Sequence, residues 1–360
     1  MKIGIYGGSF DPIHQGHIKS ARYAIKELNL DKLIFVPTNC SPFKKNKSKT
    51  SNQDKLNMIN LVLEDKMEVS DFEIKRGGVS YTIDTVKYFA NKYKKDQLYL
   101  IIGSDNLTKL NKWKDIDTIS QLAQIAVLRR EAKINKLNLK KYNGILLKNR
   151  LYDFSSTNFK KGFLDLVDDK VLNYIQARGL YLEQIIHNSL TALRAKHSVS
   201  TASFAAELAK AHNLDAKQAY TAGLVHDIAK EWSIASSRSF IQEYQPELIN
   251  ASDFELHQIC GALWLKYGYK LQDQAVIEAV RYHTTMKLEM SDLDKILFIA
   301  DKICQGRKFP GIQKVRELCF KDLNQGFKEV VYQTYLFNIN KGVEFSPLAL
   351  EIYQKHMGGK

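Results

Sequence analysis

The pattern of apolar residues changes character near residue 182, and this change limits the possible folds more than any other feature. Before it, short apolar or β-branched runs stand at 2–8 (KIGIYGG), 32–38 (KLIFVPT), 99–104 (YLIIGS), 124–130 (QIAVLRR) and 143–148 (NGILLK). Helical patterns lie between them: GHIKSARYAIKEL, NQDKLNMINLVL and YTIDTVKYFANKY. Such alternation predicts an α/β domain with a parallel sheet built from βαβ units, which binds ligands beyond the C-terminal ends of its strands. After residue 182 the segments TASFAAELAKAHNL, QAYTAGLVHDIAKEW, DQAVIEAVRYH and LDKILFIADKIC repeat near 3.6 residues, with no hairpin signals. They predict an all-α helical bundle. A chain of 360 residues exceeds one ordinary core, so two domains are expected, 1–183 and 184–360.

Charge follows the same division. Residues 1–181 hold 32 Lys and Arg against 19 Asp and Glu, whereas residues 182–360 hold 21 against 20. A basic first half favours an anionic partner such as nucleotide phosphate. Nucleic acid is not expected, because no zinc-finger, RNP-like or helix-turn-helix signature is present. No apolar run approaches the ~18 residues of a membrane span, and the N-terminus has no h-region for a secretory signal. Cys40, Cys260, Cys304 and Cys319 form no CxxC pair, which predicts reduced thiols in a cytoplasmic protein. Membrane, secreted and disulfide-framework classes are therefore excluded as expectations.

The densest chemistry is GGSFDPIHQGH at 7–17, between a predicted first strand and a predicted helix. Gly7 and Gly8 allow backbone to approach a phosphate, and the helix N-terminus presents free N–H groups and a positive dipole. His14 and His17, three apart, share one side of a helical turn and can both donate to phosphate oxygens. The spacing excludes a GxGxxG dinucleotide site.

The HxGH element resembles the signature of the nucleotidyltransferase superfamily, and GGSFDPIHxGH resembles its bacterial nicotinate-nucleotide adenylyltransferases. Four further segments match in chain order. The resemblance implies a Rossmann-like sheet, and SPFK at 41–44 implies Lys44 on the triphosphate. RGGVSYTIDT at 76–85 implies that Ser80, Tyr81, Thr82 and Thr85 cradle nicotinate mononucleotide. GSDNLTKLNKW implies Gly103 and Asp105 near the ribose and Trp113 stacked on the pyridine ring. FSSTNFK implies Ser155, Ser156, Thr157 and Lys160 around ATP, with Gly7, Gly8, Ser9 and Phe10 lining the same cleft. In the family the closing motif usually ends in arginine, where this chain has Lys160, and arginine usually opens the helix that Lys55 occupies. Lysine keeps the charge and loses the bidentate fork. The implied reaction is attack of the mononucleotide 5′-phosphate on the α-phosphorus of ATP with Mg²⁺, expelling pyrophosphate, by positioning and charge stabilisation. A pantetheine-phosphate adenylyltransferase or a cytidylyltransferase is the close alternative; SYTIDT with Trp113 favours the pyridine nucleotide.

In the second half, His197, His226–Asp227, His257, His283 and Asp301 form an ordered series, each in a separate predicted helix. Burying Asp227 within AGLVHDIAK is costly unless it is paired or binds metal. Imidazole with carboxylate suits iron, manganese or zinc. His187, His212 and His356 are expected to be structural. The series resembles the HD superfamily of metal-dependent phosphohydrolases, and the wider segment resembles its symmetrically cleaving diadenosine tetraphosphate hydrolases. The resemblance implies one metal on His197, His226, Asp227 and Asp301, and a second on His257 and His283 bridged by Asp227. It places Lys230 and Arg307 on substrate phosphates, with two ADP as products. The alternatives are another nucleotide phosphoester as substrate, or a non-catalytic nucleotide sensor.

Overall fold

The structure is a computed structural model, and it describes residues 1–40 and 50–358. It divides into two compact units, Met1–Ile175 and Gln176–Lys360.

In the first unit the strands are β1 (Lys2–Gly8), β2 (Lys32–Pro37), β3 (Met67–Val69), β4 (Gln97–Gly103), β5 (Gln124–Leu128) and β6 (Ile145–Leu146). They form one sheet of order β3-β2-β1-β4-β5-β6, with every pair parallel. The helices are α1 (Gln15–Glu27), α2 (Asn52–Asn60), α3 (Phe72–Arg76), α4 (Thr82–Lys92), α5 (Ile116–Leu122), α6 (Leu137–Lys141) and α7 (Ser156–Phe159). Helix α8 (Asp169–Arg178) runs across the division between the units. Ile5 pairs with Ile34 on one side and Leu100 on the other, and all three are buried in one apolar cluster. The near-continuous apolar runs of β1, β2 and β4 reflect a sheet covered on both faces.

Strand order reverses between β1 and β4, so helices leave these neighbours in opposite directions and a crevice opens at their C-terminal ends. Gly7 and Gly8 end β1 and Gly103 ends β4, which places the glycine-rich segment at that crevice. Gly16 opens α1 under a close contact: a Cβ there would lie 2.8 Å from Phe154 Cβ.

The second unit contains no strand among its described residues. Its helices are α9 (Leu182–Ser189), α10 (Ala192–Ala211), α11 (Ala216–Val225), α12 (Ile234–Tyr244), α13 (Leu256–Leu263), α14 (Gln274–Tyr282), α15 (Asp292–Ile303), α16 (Ile312–Lys321), α17 (Leu323–Asn340) and α18 (Pro347–Met357). Side-chain caps define several starts: Asp215 for α11, Ser233 for α12, Asp273 for α14, and the Ser291–Asp294 capping box for α15. Helix α15 is nearly encased, with Ile296, Leu297, Phe298, Ile299, Ala300 and Ile303 all buried. It packs with Phe204 and Leu208 of α10 and Phe327 and Val331 of α17. Gly223 lets α11 lie against α10; a Cβ there would sit 2.7 Å from Ala202 Cα. No described helix is long and apolar enough to cross a membrane.

Candidate functional site

At the crevice of the first unit lies a cavity of about 580 Å³. Gly7, Gly8, Ser9 and Phe10 line it from the end of β1, and His14 and His17 from the start of α1. Ser80, Tyr81, Thr82 and Thr85 reach it around the start of α4, Gly103, Asp105 and Trp113 from β4 onward, and Ser155, Ser156 and Thr157 from α7. Lys44 lies outside the described residues.

The two histidine rings stack with centroids 3.6 Å apart. The His14 backbone N–H donates to His17 Nδ1 at 3.2 Å, so in the neutral ring the proton sits on Nε2 and can be donated. Burial and the nearby Arg130 charge lower the His14 pKa to about 4. Burial and the neighbouring His14 hold His17 well below the ordinary histidine range. Both rings are therefore neutral near pH 7. His14 Nδ1 is buried and has no hydrogen-bond partner among the described residues.

Further features add to the sequence expectation. Lys160, expected on ATP phosphate, donates to Asp11 Oδ2 at 2.7 Å and so ties the closing motif to the glycine-rich segment. Ser156 Oγ donates to the Pro12 carbonyl at 3.0 Å and adds a second tie. Arg130, which belongs to none of the motifs, also lines the cavity, with Nε 3.7 Å from Asp105 Oδ1. Its only sequence signal is its place at the end of the QIAVLRR run. Glu73 is a further unforeseen member: it is buried, accepts from Thr85 Oγ1 at 2.7 Å, and burial raises its pKa.

In the second unit five elements bring their polar side chains to one buried centre. His197 comes from α10, His226 and Asp227 from the end of α11, His257 from α13, His283 from the end of α14 and Asp301 from α15. His197 Nε2 lies 2.9 Å from Asp301 Oδ1, and His226 Nε2 lies 3.6 Å from both Asp227 Oδ2 and Asp301 Oδ1. Asp227 Oδ1 faces His283 Nε2 at 3.6 Å and His257 Nε2 at 3.7 Å. Two groups have ligand spacing: His197, His226 and Asp301, and His226, Asp227 and His283. His257 joins the second through a 3.3 Å approach to His283 Nε2.

Outer contacts aim these rings. His226 Nδ1 bonds the Gly223 carbonyl at 2.8 Å and His283 Nδ1 the Val280 carbonyl at 2.7 Å. Each carbonyl requires a proton on Nδ1, which leaves the Nε2 lone pair directed at the centre. His226 Nε2 is buried without a hydrogen-bond partner among the described residues, as expected of a donor atom shaped for a metal. The electrostatics agree. Against burial, the histidines around Asp227 hold its carboxyl far below the carboxylate range. Burial and His283 lower the His257 pKa to about 3. Against burial, Asp301 and Cys304 raise the His197 pKa to about 9. Carboxylates held charged among imidazoles suit a divalent cation, which would displace the proton that Asp301 holds on His197.

Lys230 Nζ sits 3.0 Å from His257 Nε2, and Arg307 Nη2 3.2 Å from Asp301 Oδ1. The remaining histidines have ordinary partners: His212 with the Cys319 carbonyl, His356 with the Lys287 carbonyl and His187 with Glu183.

Comparison with known proteins agrees with both halves. Residues 5–162 match the cytidylyltransferase-like family and residues 194–305 match the HD domain. The chain is 35% identical to the probable nicotinate-nucleotide adenylyltransferase/Ap4A hydrolase of Mycoplasma pneumoniae, over 83% of this chain and 87% of that protein. It belongs to this family of fused enzymes. The Mycoplasma genitalium relative of the same name is also 35% identical, covering 86% of this chain and 89% of its own. A probable nicotinate-nucleotide adenylyltransferase of Aquifex aeolicus is 44% identical over 44% of this chain and 99% of its own length. The family thus joins an adenylyltransferase domain to an HD hydrolase domain, and the HD centre is one for divalent metal.

Proposed function

We propose that the chain is bifunctional. Its first domain joins nicotinate mononucleotide to ATP with Mg²⁺, releasing nicotinate adenine dinucleotide and pyrophosphate. Its second cleaves diadenosine tetraphosphate symmetrically to two ADP. The observation that carries the reading is the pair of assembled sites, with relatives named for both activities over most of this chain's length.

In the first site the nucleophile is a phosphate that is already anionic, so alignment and charge stabilisation supply the catalysis. His14 and His17 donate N–H groups toward the phosphates from the positive end of α1. Arg130 adds fixed positive charge, and Trp113 offers a flat face to the pyridine ring. Lys44 is assigned to the triphosphate by its motif. Lys160 holds the glycine-rich segment through Asp11.

In the second site His197, His226, Asp227 and Asp301 would hold one metal, and Asp227, His257 and His283 the other. Iron is the first choice, then manganese, with zinc also compatible. Bound divalent ions supply Lewis-acid charge and a more acidic water. The chain itself orients the ligands through Gly223 and Val280 and presents Lys230 and Arg307 to phosphate. A cavity of about 260 Å³ beside Lys230 and His257, walled by Trp232 and Phe254, has room for part of a nucleoside.

The test is an activity panel on metal-analysed full-length protein, with nicotinate and nicotinamide mononucleotides and several dinucleoside polyphosphates. The expected products are nicotinate adenine dinucleotide and ADP. A chain that turns over neither mononucleotide, or leaves every dinucleoside polyphosphate intact, contradicts the corresponding half.

A further inference from the structure

At the HD centre four cations share two carboxylates. Arg194 Nη1 lies 3.2 Å from Asp227 Oδ2, and Lys230 Nζ lies 4.0 Å from Asp227 Oδ1. Lys302 Nζ lies 2.6 Å from Asp301 Oδ2, and Arg307 Nη2 lies 3.2 Å from Asp301 Oδ1. The carboxylate side chains are 5% and 13% exposed, while the four cations range from 24% to 46%. The cations therefore stand between the buried acids and solvent, and the cluster has an excess of positive charge.

Asp227 turns Oδ2 to both Arg194 and His226 Nε2, whereas Asp301 turns Oδ2 to Lys302 and Oδ1 to His197 and His226. Both carboxylates belong to the groups with metal-ligand spacing. A divalent ion competes with Arg194 for one oxygen of Asp227 and with Lys302 for the negative charge of the Asp301 carboxylate, and the divalent ion has the larger charge. Metal entry weakens the ion pairs of Arg194 and Lys302, leaving partly buried cations in need of another anion. A chain of phosphates laid across the centre supplies that anion, in the geometry that guanidinium recognises best.

We propose that Arg194 and Lys302 are exchange cations: they hold Asp227 and Asp301 in the metal-free centre and transfer to the phosphate chain of a nucleoside polyphosphate once metal is bound. This rests on reading the domain as a metal-dependent polyphosphate hydrolase. The two residues then couple the ligands, so that metal tightens polyphosphate binding and polyphosphate tightens metal binding. The same residues oppose metal when no phosphate is present.

This coupling has a signature that a merely structural role lacks: removing either cation should move the two affinities in opposite directions. The experiment uses metal-stripped full-length protein, Mn²⁺ with a competing fluorescent chelator, and calorimetry with inorganic tripolyphosphate on the Mn²⁺-loaded chain. Tripolyphosphate binding that persists in Asp227→Ala is assigned to the adenylyltransferase domain and subtracted. Arg194→Gln and Lys302→Gln should each bind Mn²⁺ at least about threefold more tightly, the scale of one partly exposed ion pair removed. Each should bind tripolyphosphate about tenfold more weakly, the scale of one charge-assisted hydrogen bond. Arg194→Lys, which keeps the charge, should return Mn²⁺ affinity to near the wild-type value. Unchanged affinity for either ligand, weakening of both, or failure of Arg194→Lys to restore overturns the proposal. If both shifts occur but diadenosine tetraphosphate is not cleaved, the exchange role stands and only the assigned substrate falls.

Discussion

His14 and His17 illustrate how a phosphate site can be made receptive before its ligand arrives. Their rings stack under the start of α1, and burial beside Arg130 keeps them neutral. The neutrality has a pH consequence with a definite sign. The folded His14 pKa of about 4 lies below its ordinary 6.5, so folding disfavours the protonated ring. Its contribution is intact above pH 6.5 and is lost as pH falls from 6.5 toward 4, amounting to about 3 kcal/mol over that window. His14→Gln should therefore lose less stability than the wild type between pH 7 and pH 4.5, by roughly 2–3 kcal/mol in denaturant unfolding. Parallel curves for the two proteins would show that His14 titrates normally.

Lys160 bears on the same site through Asp11. Lys160→Ala should raise KM for ATP, and Asp11→Asn should reproduce part of that rise if the lysine acts by holding the glycine-rich segment. Normal kinetics in Asp11→Asn beside a weakened Lys160→Ala would make the lysine a direct phosphate contact instead. Motif spacing was enough to indicate the histidines, the Ser155–Thr157 turn and the metal-type series, because each depends on residue type at fixed intervals. Arg130, Glu73, Arg194 and Lys302 were not legible in that way. Each is a single charged residue in an ordinary segment, and only tertiary folding brings it to a site.

Among the elements, long periodic segments were legible and short ones were not. β1, β2, β4 and β5 coincide with apolar runs, and α10 and α15 with helical spacing. β3 is three residues at a sheet edge, Met67–Val69, too short to show any period. α3 and α5 are likewise short and stand between stronger signals. Helix packing also sets the metal-site geometry. Gly223 brings α11 against the backbone of α10, and its carbonyl orients His226. Gly223→Ala should force the helices apart and cost about 1–3 kcal/mol, as overpacking does. It should also lower metal content, because His226 moves with the carbonyl. Thermal unfolding and metal analysis of the purified variant check both; wild-type values in each would separate the helix contact from the metal centre.

For the whole molecule, the change of pattern near residue 182 and the shift in charge point to separable halves. The structural division falls within α8, slightly before the 183/184 border drawn from the sequence. We propose that residues 1–183 and 184–360 each fold cooperatively and keep their own activity. The Aquifex aeolicus relative, matched over 99% of its length by less than half of this chain, supports an autonomous first domain. Insolubility of either fragment beside a well-folded full chain would argue against separability.

Asp227 joins the residue, element and molecular scales, since its two oxygens face both candidate metal groups while its neighbours hold it charged. The most direct measurement compares metal content and both activities in wild-type and Asp227→Ala protein after gentle anaerobic purification. A two-metal centre predicts close to two transition-metal ions per wild-type chain. In the variant both ions and the hydrolysis of diadenosine tetraphosphate should be lost together, while adenylyl transfer persists. A chain that is metal-free as purified yet still cleaves diadenosine tetraphosphate in excess chelator would contradict it.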